Sequence, residues 1–378
     1  MESDSRPTVA LLALIALSGV AARLAVSTLG ENYDMESWWL VSSLVLDGES
    51  FYASTHRYNY GPLWAVLLGA ARALSRWSGE DTIHRFHFVV AALLSLFDVA
   101  TAGLLLRRCG RAGFAFLMLN PVSVLITGYH SQMDGVALFF AVAFWLRFAS
   151  APPTLGVSLS TGALLGVSLV AKHILLPFVP WMLLVRRPFL KFFPGALAAA
   201  ACAAAVFGLS FLPWAFDPAS LAGLRANVVE YRSTEGLSLL AMLWPLPASA
   251  FPMRSAFLLL LSLAGVATAC LRHAWRDDLF SYLLILVALS SGVQDHYLAI
   301  PLVSLALSLA SPLAWGYVFA ATATLLVSGW NIGYLLGIPP APSAHAALFV
   351  TAQGLALLLG IATVRRAMRV PPRAPATR

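Results

Sequence analysis

The chain has 378 residues, of which 60% are hydrophobic and only 11% charged, and its mean hydropathy is +0.80. A soluble domain carries about 25% charged residues, so this surface is built to meet lipid and a water-soluble fold is excluded. The formal charge of +7 sits in short clusters between apolar runs, as loops on the cytoplasmic side do, and nucleic acid is not an expected partner.

The apolar runs over 8–27, 192–213 and 346–364 approach or exceed the roughly 18–20 residues that cross a bilayer as a helix. They are continuous rather than alternating. That excludes a β-barrel and leaves an all-α, polytopic transmembrane bundle. The first run is too long for a cleaved signal peptide and lacks a small-residue cleavage site, so it reads as a span. Cys109, Cys202 and Cys270 lie in or beside spans without metal-ligand spacing and read as packing residues.

After the first run, residues 31–49 hold five carboxylates and no Lys or Arg, which places them outside. The clusters Arg107/Arg108/Arg111, Arg186/Arg187/Lys191, Arg272/Arg276 and Arg365/Arg366/Arg369 belong in the cytoplasm. Parity then makes 62–77, with Arg72 and Arg76 on a polar side, a helix of the outer interface, with a crossing helix as the alternative. Residues 157–185 form a hairpin turning at Lys172 and His173, its second arm disturbed by Pro177 and Pro180. The count comes to about 12 spans (11–13), with 1–378 a single membrane domain. Residues 30–86 form a first extracytoplasmic loop with interfacial helices, and 371–378 a disordered tail. The polar interruptions at 31–61, 130–134, 172–173, 217–235 and 294–297 then all face outward, which implies one extracytoplasmic site.

Asp34 and Glu36 stand two apart; in an extended chain they point to one side and could share a cation or a polarised hydroxyl. The alternative is a solvated acidic loop, with Trp38 and Trp39 as interface anchors. Arg57, Tyr58 and Tyr60 alternate rings with hydrogen-bonding groups, the chemistry that stacks on sugars and clamps phosphate; an ordinary amphipathic segment reads the same way. His130, Gln132 and Asp134 share a tight polar turn, either a site or a helix cap. Lys172 interrupts a long apolar stretch, a costly position suited to holding a phosphate with His173, unless it snorkels to the headgroups. Asp98 lies mid-span and needs a basic partner such as Arg23 or Lys172. Arg225, Tyr231 and Arg232 form a further polar loop. Gln294, His296 and Tyr297 resemble the turn at His130.

Taken in order, Tyr33-Asp34-Met35-Glu36, then Arg57 through Pro62, Asn120-Pro121 leading to His130 and Asp134, the stretch 171–177 and the stretch 294–301 resemble the lipid-dependent membrane glycosyltransferases of the GT-C superfamily. The closest likeness is to bacterial members related to polyprenol-phosphate-mannose-dependent enzymes. The resemblance covers most of the chain and implies a hexosyltransferase of the bacterial plasma membrane. Such an enzyme moves mannose or another hexose, with inversion, from a polyprenyl-phosphate donor to a glycan or lipid acceptor outside. It implies Asp34 as general base, Glu36 as helper or ligand of a divalent cation (Mg or Mn), and Asp134 with His130 beside them. Lys172, His173, Arg57, Arg232 and His296 become candidates for the donor phosphate. Tyr58, Tyr60, Gln132, Gln294 and Tyr297 become candidates for sugar or acceptor. The Asp-x-Glu pattern departs from the strict Asp-x-Asp of some members. A lipid-linked saccharide transporter, or a polysaccharide polymerase or ligase, is the competing expectation.

Overall fold

The computed structural model describes residues 6–151, 154–185, 189–231, 238–243, 253–270, 278–290, 294–329 and 332–369. Every regular element among them is helical. Four helices are long and apolar enough to cross a bilayer: Val9–Ser27, Ile83–Leu119, Phe193–Ser210 and Pro342–Arg365. Shorter apolar helices cover Leu155–Ala171, Ala256–Ala267, Asp278–Leu289 and Pro312–Val327. Leu14, Leu17, Leu209 and Phe319 point outward and are exposed, as a surface bathed in hydrocarbon requires. These eight helices alone do not add up to the expected twelve crossings.

The chain begins with α1 (Arg6–Ser27), α2 (Tyr33–Leu46), the one-turn α3 (Phe51–Ser54) and α4 (Pro62–Trp77). Next, α5 (Ile83–Leu119) reverses inside its length at Gly110, whose φ of 66° only glycine adopts without strain. Arg107, Arg108 and Arg111 flank that turn. The returning arm breaks at Asn120-Pro121 and continues as α6 (Pro121–Leu125) and a π-helical turn, Ile126–His130. The α7 helix (Asp134–Ser150) and α8 (Leu155–Ala171) follow, antiparallel and packed on each other. Further on come α9 (Phe178–Val185), α10 (Phe189–Ser210), α11 (Leu212–Ala215), α12 (Pro218–Leu224), α13 (Leu239–Leu243) and α14 (Met253–Cys270). The chain closes with α15 (Asp278–Leu289), α16 (Leu302–Leu305), α17 (Pro312–Val327), α18 (Ile332–Leu335) and α19 (Pro342–Arg369). The arms α8, α7 and α10 form one side of the core, and α15, α17 and α19 the other.

One buried cation holds the break at Pro121 together. Proline has no N–H, so the Leu117 carbonyl loses its helical donor. The Val122 N–H turns to Asn120 Oδ1 instead, at 2.9 Å, which strips the Met118 carbonyl as well. Arg23, fully buried on α1, donates to both carbonyls, at 3.2 and 2.6 Å. Its Nε meets Asp98 Oδ2 at 3.0 Å. Of the two partners expected for Asp98, the structure selects Arg23.

The expected hairpin at Lys172 takes the form of a break. α8 stops at Ala171, Lys172 is extended, and a 3-10 turn (His173–Leu175) leads into α9. α4 begins and ends at the same end of the bundle. Gly61, just before it, lies against Val170 in the last turn of α8, while Arg72 and Arg76 near its other end hold Asp81, ahead of α5. Arg72 is not on a polar face as expected; it is 3% exposed and grips Asp81 with both Nε and Nη2, at 2.5 and 2.8 Å. The Arg72 hydrogen bond first, and Arg76 behind it, hold the Asp81 carboxyl below the usual range.

At Gly61 a Cβ would lie 2.0 Å from the Val170 carbonyl oxygen, backbone against backbone. Gly61→Ala should therefore force α4 off α8 and cost about 1–3 kcal/mol. Thermal unfolding in detergent checks this; an unchanged Tm would refute the contact.

Candidate functional site

Asn32 fixes the start of the site. Its Oδ1 caps α2 by accepting Met35 N–H at 3.0 Å, and its Nδ2 donates to the Tyr129 carbonyl at 3.2 Å. The N-terminus of α2 is thereby tied to the π-helical turn. Asp34, in the first turn of α2, sits where a helix favours a carboxylate. Its Oδ2 accepts Gln132 Nε2 at 2.6 Å and lies 4.0 Å from His130 Nδ1. The side chain keeps 36% of its surface exposed, so it is anchored on one oxygen and still reachable.

Gln132 can reach Asp34 because the chain is bent to bring it there. The π turn ends at His130, and Ser131 takes a left-handed conformation, φ 48°, rare for a residue with a side chain. Gly128 permits the approach: a Cβ there would lie 2.7 Å from the Arg23 carbonyl oxygen. Asp134 then opens α7 as its first helical residue, after Met133 as cap.

Lys172 arrives from the end of α8. Its Nζ lies 2.7 and 2.9 Å from the two Asp134 oxygens, and both side chains are 2% exposed. The ammonium also sits over two rings, 4.3 Å from the centroid of Tyr297 and 5.6 Å from that of Tyr60. A 3-10 turn, Asp295–Ala299, supplies Tyr297 and His296, whose ring lies 6.3 Å from that of His130. Burial first, and then the neighbouring Lys172 and His130, push the His296 imidazole well below its ordinary value. His345 on α19 binds Asp295 Oδ1 at 2.8 Å and pins this turn.

Asp34, His130, Gln132, Asp134, Lys172, Tyr60, His296 and Tyr297 are thus brought together from five separate stretches of chain. Other candidates are placed differently. The segment at Asp34 is helical rather than extended, and residues two apart on a helix diverge by about 200°. Glu36 accordingly turns away, is 56% exposed, and pairs with Arg57 Nη2 at 3.3 Å. Arg57 is committed to that pair, to Ser37 Oγ and to the Tyr33 carbonyl, stacked 3.9 Å over the Tyr33 ring. Tyr58 is fully buried, its hydroxyl donating to the Gly61 carbonyl at 2.6 Å and accepting from Ala65 N–H at 2.9 Å. It props α4 and offers no sugar-binding surface. Gln294 is exposed at the head of its turn, His173 opens the 3-10 turn after Lys172, and Arg232 lies outside the described residues.

Sequence reasoning passed over Asn32, Ser131 and His345. Asn32 carried a signal, since Asn ahead of an apolar run is a helix cap; the other two are defined only by tertiary contacts. Among the described residues no three His, Cys, Asp or Glu side chains converge as a metal centre requires. No family model matches the chain, and no curated protein or solved structure matches it either.

Proposed function

We propose that the chain is a GT-C-type membrane glycosyltransferase that moves a hexose from a polyprenyl-phosphate donor to a glycan or lipid acceptor, with Asp34 as general base. The observation that carries this reading is that one polar turn, His130 to Asp134, touches both a reachable carboxylate and a buried cation: Gln132 holds Asp34, and Asp134 holds Lys172. Asp34 keeps 36% of its side chain exposed, and Tyr60 and Tyr297 stand beside the Lys172 ammonium. In the reaction, the acceptor hydroxyl oxygen bonds to the sugar C1 and passes its proton to Asp34. The C1–O bond to phosphate breaks, and its electron pair leaves on the polyprenyl phosphate. Lys172 and His296 stand where that charge develops. Inversion follows from one displacement with base and leaving group on opposite faces.

The ends of the helices support the topology. Asp34, His130, Asp134 and Lys172 share one end. The Arg107/Arg108/Arg111 turn lies an arm of α5 away, and Arg147 lies at the far end of α7. Basic residues mark the cytoplasm, so the site faces outward from the plasma membrane. On this reading the two arms of α5 cross separately and α2 and α4 lie in the outer interface, within a proposed total of about twelve crossings. The exposed apolar helices supply the surface for the polyprenyl tail.

The residues do not fit a divalent cation shared by Asp34 and Glu36, because their carboxylates diverge. Mg or Mn therefore enters no step. Glu36→Gln breaks only an exposed pair and should leave turnover within about twofold, with EDTA equally without effect; a loss of activity in both would restore the cation.

The test is donor turnover in lipid nanodiscs with a panel of polyprenyl-phosphate sugars and membrane-extract acceptors. Release of polyprenyl phosphate is expected. Intact donors that change leaflet would favour a transporter instead. Against transport stands the deep charge Asp98, which Arg23 and Thr127 hold at 3.0 and 2.8 Å rather than leaving it on a path.

A further inference from the structure

A cavity of about 40 Å³ lies behind the site, between the arms of α5, α7 and the 295–303 stretch. Asp98, Thr127 and Ser123 form its deep wall, and Gln132 and Asp134 its wall toward the site. Its chemistry is lopsided. Gln132 must present Nε2, not Oε1, to the Asp34 carboxylate, because two oxygens would repel. That sends Oε1 elsewhere, and it has no partner among the described residues although Gln132 is 3% exposed. Asp98 spends Oδ2 on Arg23 and Thr127, while Gly135 has no side chain to cover Oδ1, where a Cβ would lie 2.9 Å away. Thr101 donates to the Phe97 carbonyl and Thr127 to Asp98. Acceptors are therefore left facing the cavity with few donors to meet them.

We propose that this cavity is an internal hydration site whose water links Asp98 to Gln132 and so fixes the Gln132 amide that holds Asp34. Water supplies two donors and suits the volume, which has room for about two or three molecules. A cation is disfavoured by charge. Arg23 with Asp98, and Lys172 with Asp134, already balance in charge, and a fifth charge would stand uncompensated in an apolar interior. An apolar ligand would leave both acceptors bare. Asp98 is then a positioning residue, acting on the base through water and Gln132. Its positioning role rests on the reading of Asp34 as base; the hydration does not.

Hydroxyl-radical footprinting of the wild-type protein in nanodiscs with ¹⁸O water tests hydration directly. Leu138, Leu302 and Val303 line the cavity and are expected to take label from buried water. An unlabelled cavity overturns the inference while leaving the transferase reading untouched. Ala299→Val adds apolar volume at the cavity wall without touching either ion pair. It should erase the label, lower kcat about tenfold, and leave the donor KM within about twofold. A lost label with unchanged kcat would overturn the link to Gln132. A hydrated cavity in a protein that releases no polyprenyl phosphate would uphold the hydration and remove the transferase.

Discussion

Replacing Asp34 by Asn should abolish sugar transfer while leaving the donor bound. The amide cannot take the acceptor proton, and a positioned general base is worth about 10²–10⁴ in rate. The change is close to isosteric, and the residue keeps its place in the first turn of α2 behind the Asn32 cap. Its oxygen can still accept Gln132 Nε2, as Asp34 does now at 2.6 Å. The loss should therefore fall on kcat, with thermal stability and donor affinity near wild type. Release of polyprenyl phosphate, read beside donor binding to the same nanodiscs, separates the two. Equal turnover by both proteins would keep the reaction class and remove Asp34 as its base. Weak binding with intact kcat would make Asp34 a donor contact.

Much of the helical fold, and which polar segments meet, was legible in the order of residues, and the part that was not has a common cause. Hydropathy identifies α1, α5, α10 and α19 because each carries its lipid-facing surface in one continuous run. The polar interruptions at His130, Lys172 and His296 could be read as one site because few forces other than function keep such groups in apolar sequence. The spacing of Asp34 and Glu36 misled because spacing gains meaning only once the backbone is known. An extended chain puts both on one side, and the Asn32 cap winds them into a helix that separates them. Tyr58 and Arg72 failed for a related reason. Each looked like surface chemistry, yet each serves a backbone group or a carboxylate inside the fold. The reversal at Gly110 and the bend at Ser131 depend on φ values that a glycine or a serine does not announce.

The second large effect is expected at Lys172 and Asp134, where stability and activity can be pulled apart. Both side chains are 2% exposed and bonded at 2.7 Å, so removing either leaves a charge with no partner and little water. Lys172→Met or Asp134→Asn alone should lower stability by about 3–5 kcal/mol, read as a large fall in Tm in detergent. Replacing both, Lys172→Met with Asp134→Leu, removes the orphaned charge and should restore most of the Tm, since apolar substitutes for a buried pair are often neutral or better. Turnover should stay low in the double variant, by about 10²–10³, because the group proposed to meet the developing phosphate charge is gone. A double variant that regains both Tm and turnover would make the pair a structural clasp and move the phosphate site elsewhere. One that regains Tm alone would support the proposed role and give a reason for a lysine at the end of α8 in a chain otherwise suited to lipid: the cost of burying this cation would be met by its use on the leaving phosphate.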